Sequence, residues 1–125
     1  MFEVEVDCAR NRLYVSLSGF ALIASIEQFD ADLRAALAAL GRGREPHQLL
    51  YDVSAAKIQS QDVVSALRML VRRSPRTSAF ALVNASALAG RQLRRIFEGA
   101  GPVIFADRAS AIEWLDRQSA IGTAS

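Results

Sequence analysis

Apolar and polar residues alternate at the start of the chain, which is the period of two expected of half-buried strands. In FEVEVD, from Phe2 to Asp7, the apolar side chains fall on one face and the acids on the other. RLYVSLS, from Arg12 to Ser18, repeats this alternation after the turn CARN. We therefore predict that the two segments form a β-hairpin.

The rest of the chain alternates helix-like and strand-like segments. From Ile26 to Leu40 apolar residues recur at helical spacing, and Ser25 with Gln28 has the spacing of a capping box at the start of this helix. Continuous apolar runs then predict strands, each followed by a helix. The predicted strands are QLLYDV from Gln48, SAFALVN from Ser78 to Asn84 and VIFA from Val103 to Ala106; the predicted helices run from about Gln61 to Arg73, from about Ala87 to Glu98 and onward from the cap Asp107.

This order, β-β-α-β-α-β-α-β-α, predicts an α/β fold with a mixed five-stranded sheet and flanking helices. The N-terminal hairpin is antiparallel, and the later strands are expected to be parallel with right-handed crossovers. We expect one domain over residues 1–117 and a flexible tail over residues 118–125.

Composition narrows the functional classes. No apolar run approaches the ~20 residues that cross a bilayer, and the acidic start differs from a signal peptide. Cys8 is the only cysteine and His47 the only histidine, so a disulfide framework and a zinc site are not expected. A Ser-His-Asp triad is not expected either, because the chain has no G-x-S-x-G elbow. His47 follows Pro46 in a polar loop, where we expect a solvated side chain. These features predict a cytoplasmic, non-enzymatic protein without a metal or cofactor.

Two segments make the chain similar to a known family. They are the strand LLYDVS, with Asp52 near its end, and the closing pattern F-A-D-x-x-x-A-I-x-W-L. Together with the hairpin they resemble the STAS domain, and more narrowly its SpoIIAA-like branch of small bacterial proteins related to anti-sigma-factor antagonists. The resemblance covers nearly the whole chain. It implies the STAS-like fold and a regulatory role through a protein partner, either an anti-sigma factor or a kinase-like regulator.

In that family the junction after the LLYDVS-type strand is the functional surface, and many members carry Asp-Ser-Ser-Gly there, with a serine that is phosphorylated. This chain has Gln59, Ser60, Gln61 and Asp62 instead, so Ser60 supplies the only hydroxyl. The resemblance implies a phosphorylation or partner-contact site formed by Ser60, Gln61, Asp62 and Asp52. The residue types also favour a plain structural role, with Ser60 as an N-cap and Asp62 in the first helical turn. Asp52 would then accept hydrogen bonds from backbone amides.

No acid occurs between Val63 and Phe97, a stretch that contains seven arginines. On a helical projection, arginines of both helices in this stretch lie opposite the apolar residues. The arginines concerned are Arg68, Arg72, Arg91, Arg94 and Arg95. If both helices lie on one face of the sheet, these side chains form a basic surface for an acidic protein, phosphate groups or anionic lipid. The alternative is a solvated face that keeps the protein soluble.

Nucleic acid is not an expected partner, because the chain has no helix-turn-helix pattern and no aromatic platform for RNA. The main alternative to a regulatory module is a small-ligand carrier. SpoIIAA-like chains resemble the lipid-carrying Sec14-type fold in outline, and an apolar cavity between sheet and helices would hold an acyl chain. The sequence leaves open whether the chain forms a homodimer.

Overall fold

The computed structural model describes residues 1–41, 46–57, 59–84 and 90–124, and its elements follow the predicted order. The strands are β1 (Phe2–Asp7), β2 (Arg12–Gly19), β3 (Gln48–Ala56), β4 (Ala79–Val83) and β5 (Val103–Phe105). The helices are α1 (Ile23–Ala39), α2 (Gln61–Arg73), α3 (Gly90–Ile96) and α4 (Arg108–Ala124). The predicted α/β fold class is confirmed.

The strands form one sheet in the order β1-β2-β3-β4-β5. β1 and β2 pair antiparallel, with Val4 opposite Val15. β2 with β3, β3 with β4 and β4 with β5 all pair parallel. The sheet is therefore mixed, as predicted, and the carboxyl ends of its parallel strands share one edge.

β3 shows how the sheet separates two apolar cores. Leu49, Tyr51 and Val53 join the larger core, which also contains the buried residues of α1, α2 and α3. Leu50 points to the opposite face and joins a smaller core with Leu115 of α4. Because both faces are covered, β3 reads as a nearly continuous apolar run. The three helices α1, α2 and α3 thus lie on one face of the sheet, and α4 lies on the other.

The start of α1 differs from its prediction. The helix begins at Ile23, its N-cap is Leu22, and no side chain forms a capping hydrogen bond. The N–H of Ile26 already donates to the carbonyl of Leu22 at 3.1 Å, so the helix begins before Ser25. Gln28 bonds Asp32 at 2.9 Å rather than the helix start. Ser25 is therefore a residue of the first turn and not the N-cap.

Smaller differences occur toward the C-terminus. β5 is an edge strand, and Val103 is 42% exposed and Ile104 60% exposed. Helix α3 ends at Ile96, two residues before its predicted end, and its predicted start at Ala87 lies outside the described residues. Helical backbone continues in α4 to Ala124, through most of the segment predicted to be a tail. The domain boundary itself stays a prediction.

Candidate functional site

In the polar junction between β3 and α2, Ser60 is the N-cap of α2, as its residue type predicts. Ser60 has extended backbone angles, and its hydroxyl accepts a hydrogen bond from the N–H of Val63 at 3.3 Å. Asp62 lies in the first turn, where a negative charge complements the helix dipole. Ser60, Gln61 and Asp62 are all exposed. The cap therefore leaves the Ser60 hydroxyl open to solvent at the carboxyl edge of the sheet.

Gln59, directly before the cap, is a buried residue whose role the sequence did not indicate. Its side-chain oxygen accepts from the N–H of Ala21 at 2.7 Å, and its amide group donates to the carbonyl of Gly19 at 3.0 Å. Its backbone N–H and C=O bond the side chain of Gln92 in α3, at 2.8 and 2.7 Å. Gln59 thus joins the β2–α1 loop, the β3–α2 junction and α3 at one point.

The β2–α1 loop presents apolar side chains to solvent beside this junction. Phe20 is 69% exposed, Leu22 is 68% exposed and Ile23 is 46% exposed; we call these residues the apolar loop. The loop is held next to the junction because Gly19 accepts from the N–H of Lys57 at 3.0 Å as well as from Gln59. Exposed apolar residues that cluster on a fixed loop are typical of an interaction surface.

Asp52 lies on the other face of the sheet from α2. Its carboxylate accepts from the N–H of Ser54 at 3.1 Å and pairs with Arg108 of α4 at 3.7 Å. The bond to a backbone amide agrees with the plain role expected for this residue. The structure therefore brings Ser60, Gln61 and Asp62 together at one helix end and separates Asp52 from them.

The basic surface is continuous with the junction. Of the five arginines predicted to form this surface, four are exposed, namely Arg72, Arg91, Arg94 and Arg95. Arg95 donates to the side chain of Gln61 at 3.3 Å, which links α3 to the start of α2. Arg68 is different, because it is only 30% exposed and pairs with Glu98 at 3.0 Å. Glu98 lies one residue beyond the acid-free stretch, so local neutralisation occurs at Arg68 although none was expected.

The described part of the chain contains no group of three or more His, Cys, Asp or Glu side chains placed to hold a metal ion. Among the same residues no helix is both long and apolar enough to span a membrane. Cys8 is exposed, and its thiol lies 3.6 Å from the carbonyl of Ala39.

Three solved structures share this architecture. An anti-sigma factor antagonist from Mycobacterium paratuberculosis is 14% identical, with a TM-score of 0.65 and 93% of each chain covered. An uncharacterised protein from Shewanella loihica, described as having a SpoIIAA-like fold, is 18% identical, with a TM-score of 0.67 and 92% of each chain covered. The anti-sigma factor antagonist SpoIIAA in its unphosphorylated form is 21% identical, with a TM-score of 0.59, and the match covers 94% of this chain and 97% of that one. No protein-family model and no curated protein matches the chain.

The chain has the SpoIIAA-like fold. This confirms the fold that the LLYDVS strand and the closing helix pattern led us to expect. In this SpoIIAA-like fold the junction, the apolar loop and the start of α3 lie together at the carboxyl ends of the parallel strands. α/β folds commonly bind their ligands at that end of the sheet.

His47 and Arg12 occupy positions in the SpoIIAA-like fold that the sequence did not predict. His47 is only 8% exposed. It directly precedes β3, and its backbone carbonyl accepts a hydrogen bond from the N–H of Ser78 at 2.9 Å, which holds it against the start of β4. The expectation of a solvated loop histidine was wrong, and burial lowers the pKa of its imidazole. Arg12 has no exposed surface and donates to Gln48 at 2.8 Å and to Asp116 at 2.7 Å. A charged residue in an alternating strand gives no signal of such burial.

Proposed function

We propose that this chain is a non-enzymatic regulatory module that binds a protein partner through the apolar loop and the adjoining junction. The observation that carries the proposal is the exposure of Phe20 and Leu22 on a loop that Gln59 fixes in place. Apolar anchors on a rigid surface supply most of the binding energy of protein interfaces, because little conformational freedom is lost on binding.

The likeness to two anti-sigma factor antagonists supports a partner of the anti-sigma-factor class. Anti-sigma factors are therefore the first class of partner to be tested, and kinase-like regulators are the second. The exposed hydroxyl of Ser60 supports phosphorylation as the form of control. A phosphate there would meet the free N–H groups of the first turn of α2 and lie near Arg95, which already contacts Gln61. We therefore propose that phosphorylation changes the contact with the partner and leaves α2 folded.

The basic surface extends the proposed interface. Arg95 is joined to the junction, and Arg91 and Arg94 are exposed on the same helix. Charges at the rim of an interface mainly raise the association rate and select partners of opposite charge. The proposal is thus an apolar contact at the loop with acidic groups of the partner facing α3.

A paired substitution tests this interface. Phe20→Ser with Leu22→Ser removes the exposed apolar anchors, and Met69→Ser with Ile104→Ser removes exposed apolar residues elsewhere, since Met69 is 63% exposed and Ile104 is 60% exposed. Binding to each anti-sigma factor encoded in the same genome would be measured by biolayer interferometry. We expect the loop variant to bind about tenfold or more weakly and the control to bind as the parent does.

If the parent binds such a partner and the loop variant binds it equally well, the proposed interface is wrong. If the parent binds none of these proteins, the anti-sigma-factor class is wrong. Circular dichroism of both variants shows whether the fold is retained, which is expected because these side chains are largely solvent-exposed.

The alternative of a lipid carrier is less well supported. The gap between the sheet and helices α2 and α3, lined by residues such as Leu67 and Leu93, has a volume of about 30 Å³. That volume is far below the ~300–1,000 Å³ of small-molecule sites, so this conformation has no space there for an acyl chain. A homodimer and a cytoplasmic location stay predictions.

A further inference from the structure

A larger cavity lies at the opposite end of the sheet from the junction. Its volume is about 590 Å³, within the range of small-molecule sites. Its walls are the loop that follows α2, the turn that follows α3, and the first residues of β3 and β4. Leu49, Val71 and Phe80 provide its apolar lining. The cavity therefore has the size and the wall of a binding site for a small organic molecule.

Tyr51 lines this cavity and has a hydroxyl group that can donate a hydrogen bond to a ligand. The residue is 6% exposed, and its ring packs against Phe80 and Phe97 at centroid distances of 5.6 and 5.2 Å. Its hydroxyl has no hydrogen-bond partner among the residues that the structure describes. Among the described residues, the Nε of Arg68 is the buried side-chain polar atom without a partner, so the Tyr51 hydroxyl is not sealed off from the cavity that the residue lines. A tyrosine hydroxyl is protonated at neutral pH, and burial raises its pKa further, so the group acts as a donor.

The cavity has positive charge at its rim. Arg72 and Arg76 are exposed lining residues, and neither has an ion-pair partner in the described part of the chain. Glu98 also lines the cavity, but its carboxylate is paired with Arg68 at 3.0 Å. Thr77 adds a hydroxyl to the lining. The two guanidinium groups at the rim therefore favour an anion.

We propose that this cavity binds a small organic carboxylate, whose negative charge pairs with Arg72 and Arg76 and whose apolar body contacts Leu49, Val71 and Phe80. An oxygen of the ligand accepts a hydrogen bond from the hydroxyl of Tyr51. The proposal is independent of the partner interface, because that interface lies at the carboxyl ends of the parallel strands and the cavity lies at their amino ends.

Two carboxylates and their neutral amides test the site. Octanoate and 4-acetylbenzoate supply the charge and an apolar body, and octanamide and 4-acetylbenzamide keep the shape without the charge. Binding to the full chain would be measured by calorimetry and by amide chemical shifts. We expect at least one acid to bind with a Kd below about 1 mM and its amide to bind more weakly. The largest shifts should fall on lining residues such as Leu49, Thr77 and Gly99.

Substitutions separate the contributions of charge and hydroxyl. Arg72→Gln with Arg76→Gln should weaken the acid about tenfold or more, whereas Arg91→Gln with Arg94→Gln, which removes equal charge outside the cavity, should not. Tyr51→Phe keeps the ring contacts and should weaken binding about fivefold.

Several results would overturn the proposal. It is wrong if neither acid binds at about 10 mM, or if the shifts fall on the junction at Ser60 instead. If the acid and its amide bind equally well, and Arg72→Gln with Arg76→Gln changes neither affinity, the cavity does not recognise the negative charge of the ligand. Unchanged affinity in Tyr51→Phe would refute the proposed hydrogen bond from this hydroxyl to the ligand.

Discussion

The guanidinium of Arg12, which has no exposed surface, lies 2.7 Å from the carboxylate of Asp116, a residue 104 positions later in the chain. This pair joins β2 to α4 across the smaller core. Gln48 continues the connection, because it accepts from Arg12 at 2.8 Å and donates to the carbonyl of Leu115 at 2.8 Å. A buried charge is tolerated only when it is paired and hydrogen-bonded, so α4 must dock in one register to satisfy Arg12.

Asp116→Ala should destabilise the protein by removing this partner. The side chain of Asp116 is 51% exposed, so water screens the pair, and Arg12 keeps its bonds to Gln48 and Tyr14. We expect a loss of about 1–3 kcal/mol in the free energy of unfolding, measured by urea denaturation. Glu113→Ala removes an exposed i,i+4 pair with Arg117 on the same helix and should change stability by no more than about 0.5 kcal/mol. Equal effects of the two substitutions would refute the importance of the buried pair.

Ser60→Ala should cost about 0.5–2 kcal/mol, because the N–H of Val63 loses its acceptor, whereas Ser60→Asp should be nearly neutral. Ser25→Ala is the matched control, since Ser25 lies within the first turn of α1 and not at its cap. Alanine favours helix there, so stability should stay the same or rise slightly. Thermal unfolding of the three variants tests this, and a comparable loss in Ser25→Ala would contradict the assignment of the caps.

Ser60→Asp also tests the proposed control by phosphorylation. If a phosphate acts on the partner contact, this variant should weaken partner binding while its stability stays near that of the parent. Mass spectrometry of protein isolated from the native host should then find phosphate on Ser60 under some growth condition. Unchanged binding together with unmodified Ser60 in all conditions would refute the switch.

Tyr51→Phe and Tyr14→Phe remove the same group from different environments. The Tyr51 hydroxyl has no partner among the described residues and is not sealed from solvent, so its removal should change stability by less than about 0.5 kcal/mol in the absence of ligand. The Tyr14 hydroxyl accepts from Arg12 at 3.0 Å, so its removal should cost about 0.5–1.5 kcal/mol. Urea denaturation distinguishes the two. A loss above about 1 kcal/mol in Tyr51→Phe would show that this hydroxyl is already paired in the free protein.

His47 should make stability depend on pH. Burial lowers its pKa below the ordinary value of 6.5, so below that value the unfolded chain binds more protons than the folded chain. The folded state should therefore have its full stability above about pH 6.5. It should lose stability as the pH falls toward the lowered pKa, by no more than about 1.4 kcal/mol per pH unit. His47→Gln should flatten this part of the stability profile; an unchanged slope would assign the dependence to other groups.

The basic surface should respond to salt if it binds an anionic partner. Replacement of three arginines by Gln, at Arg91, Arg94 and Arg95, should weaken binding to phosphatidylglycerol vesicles or to an acidic partner. The difference should shrink at physiological ionic strength, where the Debye length is about 8 Å. A control with Gln in place of Arg10, Arg34 and Arg117 removes the same charge from residues that pair with nearby acids. If the parent and both triple variants bind equally well at low salt, the arginines do not bind an anionic partner and form only a solvated face.

The sequence alone determined the elements and their order, because these follow from interactions within a few residues. The alternation in β1, the apolar run of β3 and the apolar spacing of α2 each report a face that must be buried. The cap at Ser60 and the cap at Asp107, whose carboxylate accepts from the N–H of Ser110 at 2.8 Å, are also local and were predicted. The wrong cap at Ser25 shows the limit of this reasoning, since the helix formed one turn earlier with backbone bonds alone.

Only the tertiary structure decided which polar residues are buried and which apolar ones are exposed. Gln59 is buried because Ala21 and Gln92, from distant parts of the chain, satisfy its polar groups. Arg12 is buried because Asp116 reaches it from α4, whereas Phe20 stays exposed because no described element covers its loop. Periodicity along a chain records which side of an element faces a core, but it contains no information on the partners that folding brings from elsewhere. The satisfaction of a buried polar group depends on those partners, and so the role of Gln59 and the apolar loop that it holds became visible only in three dimensions.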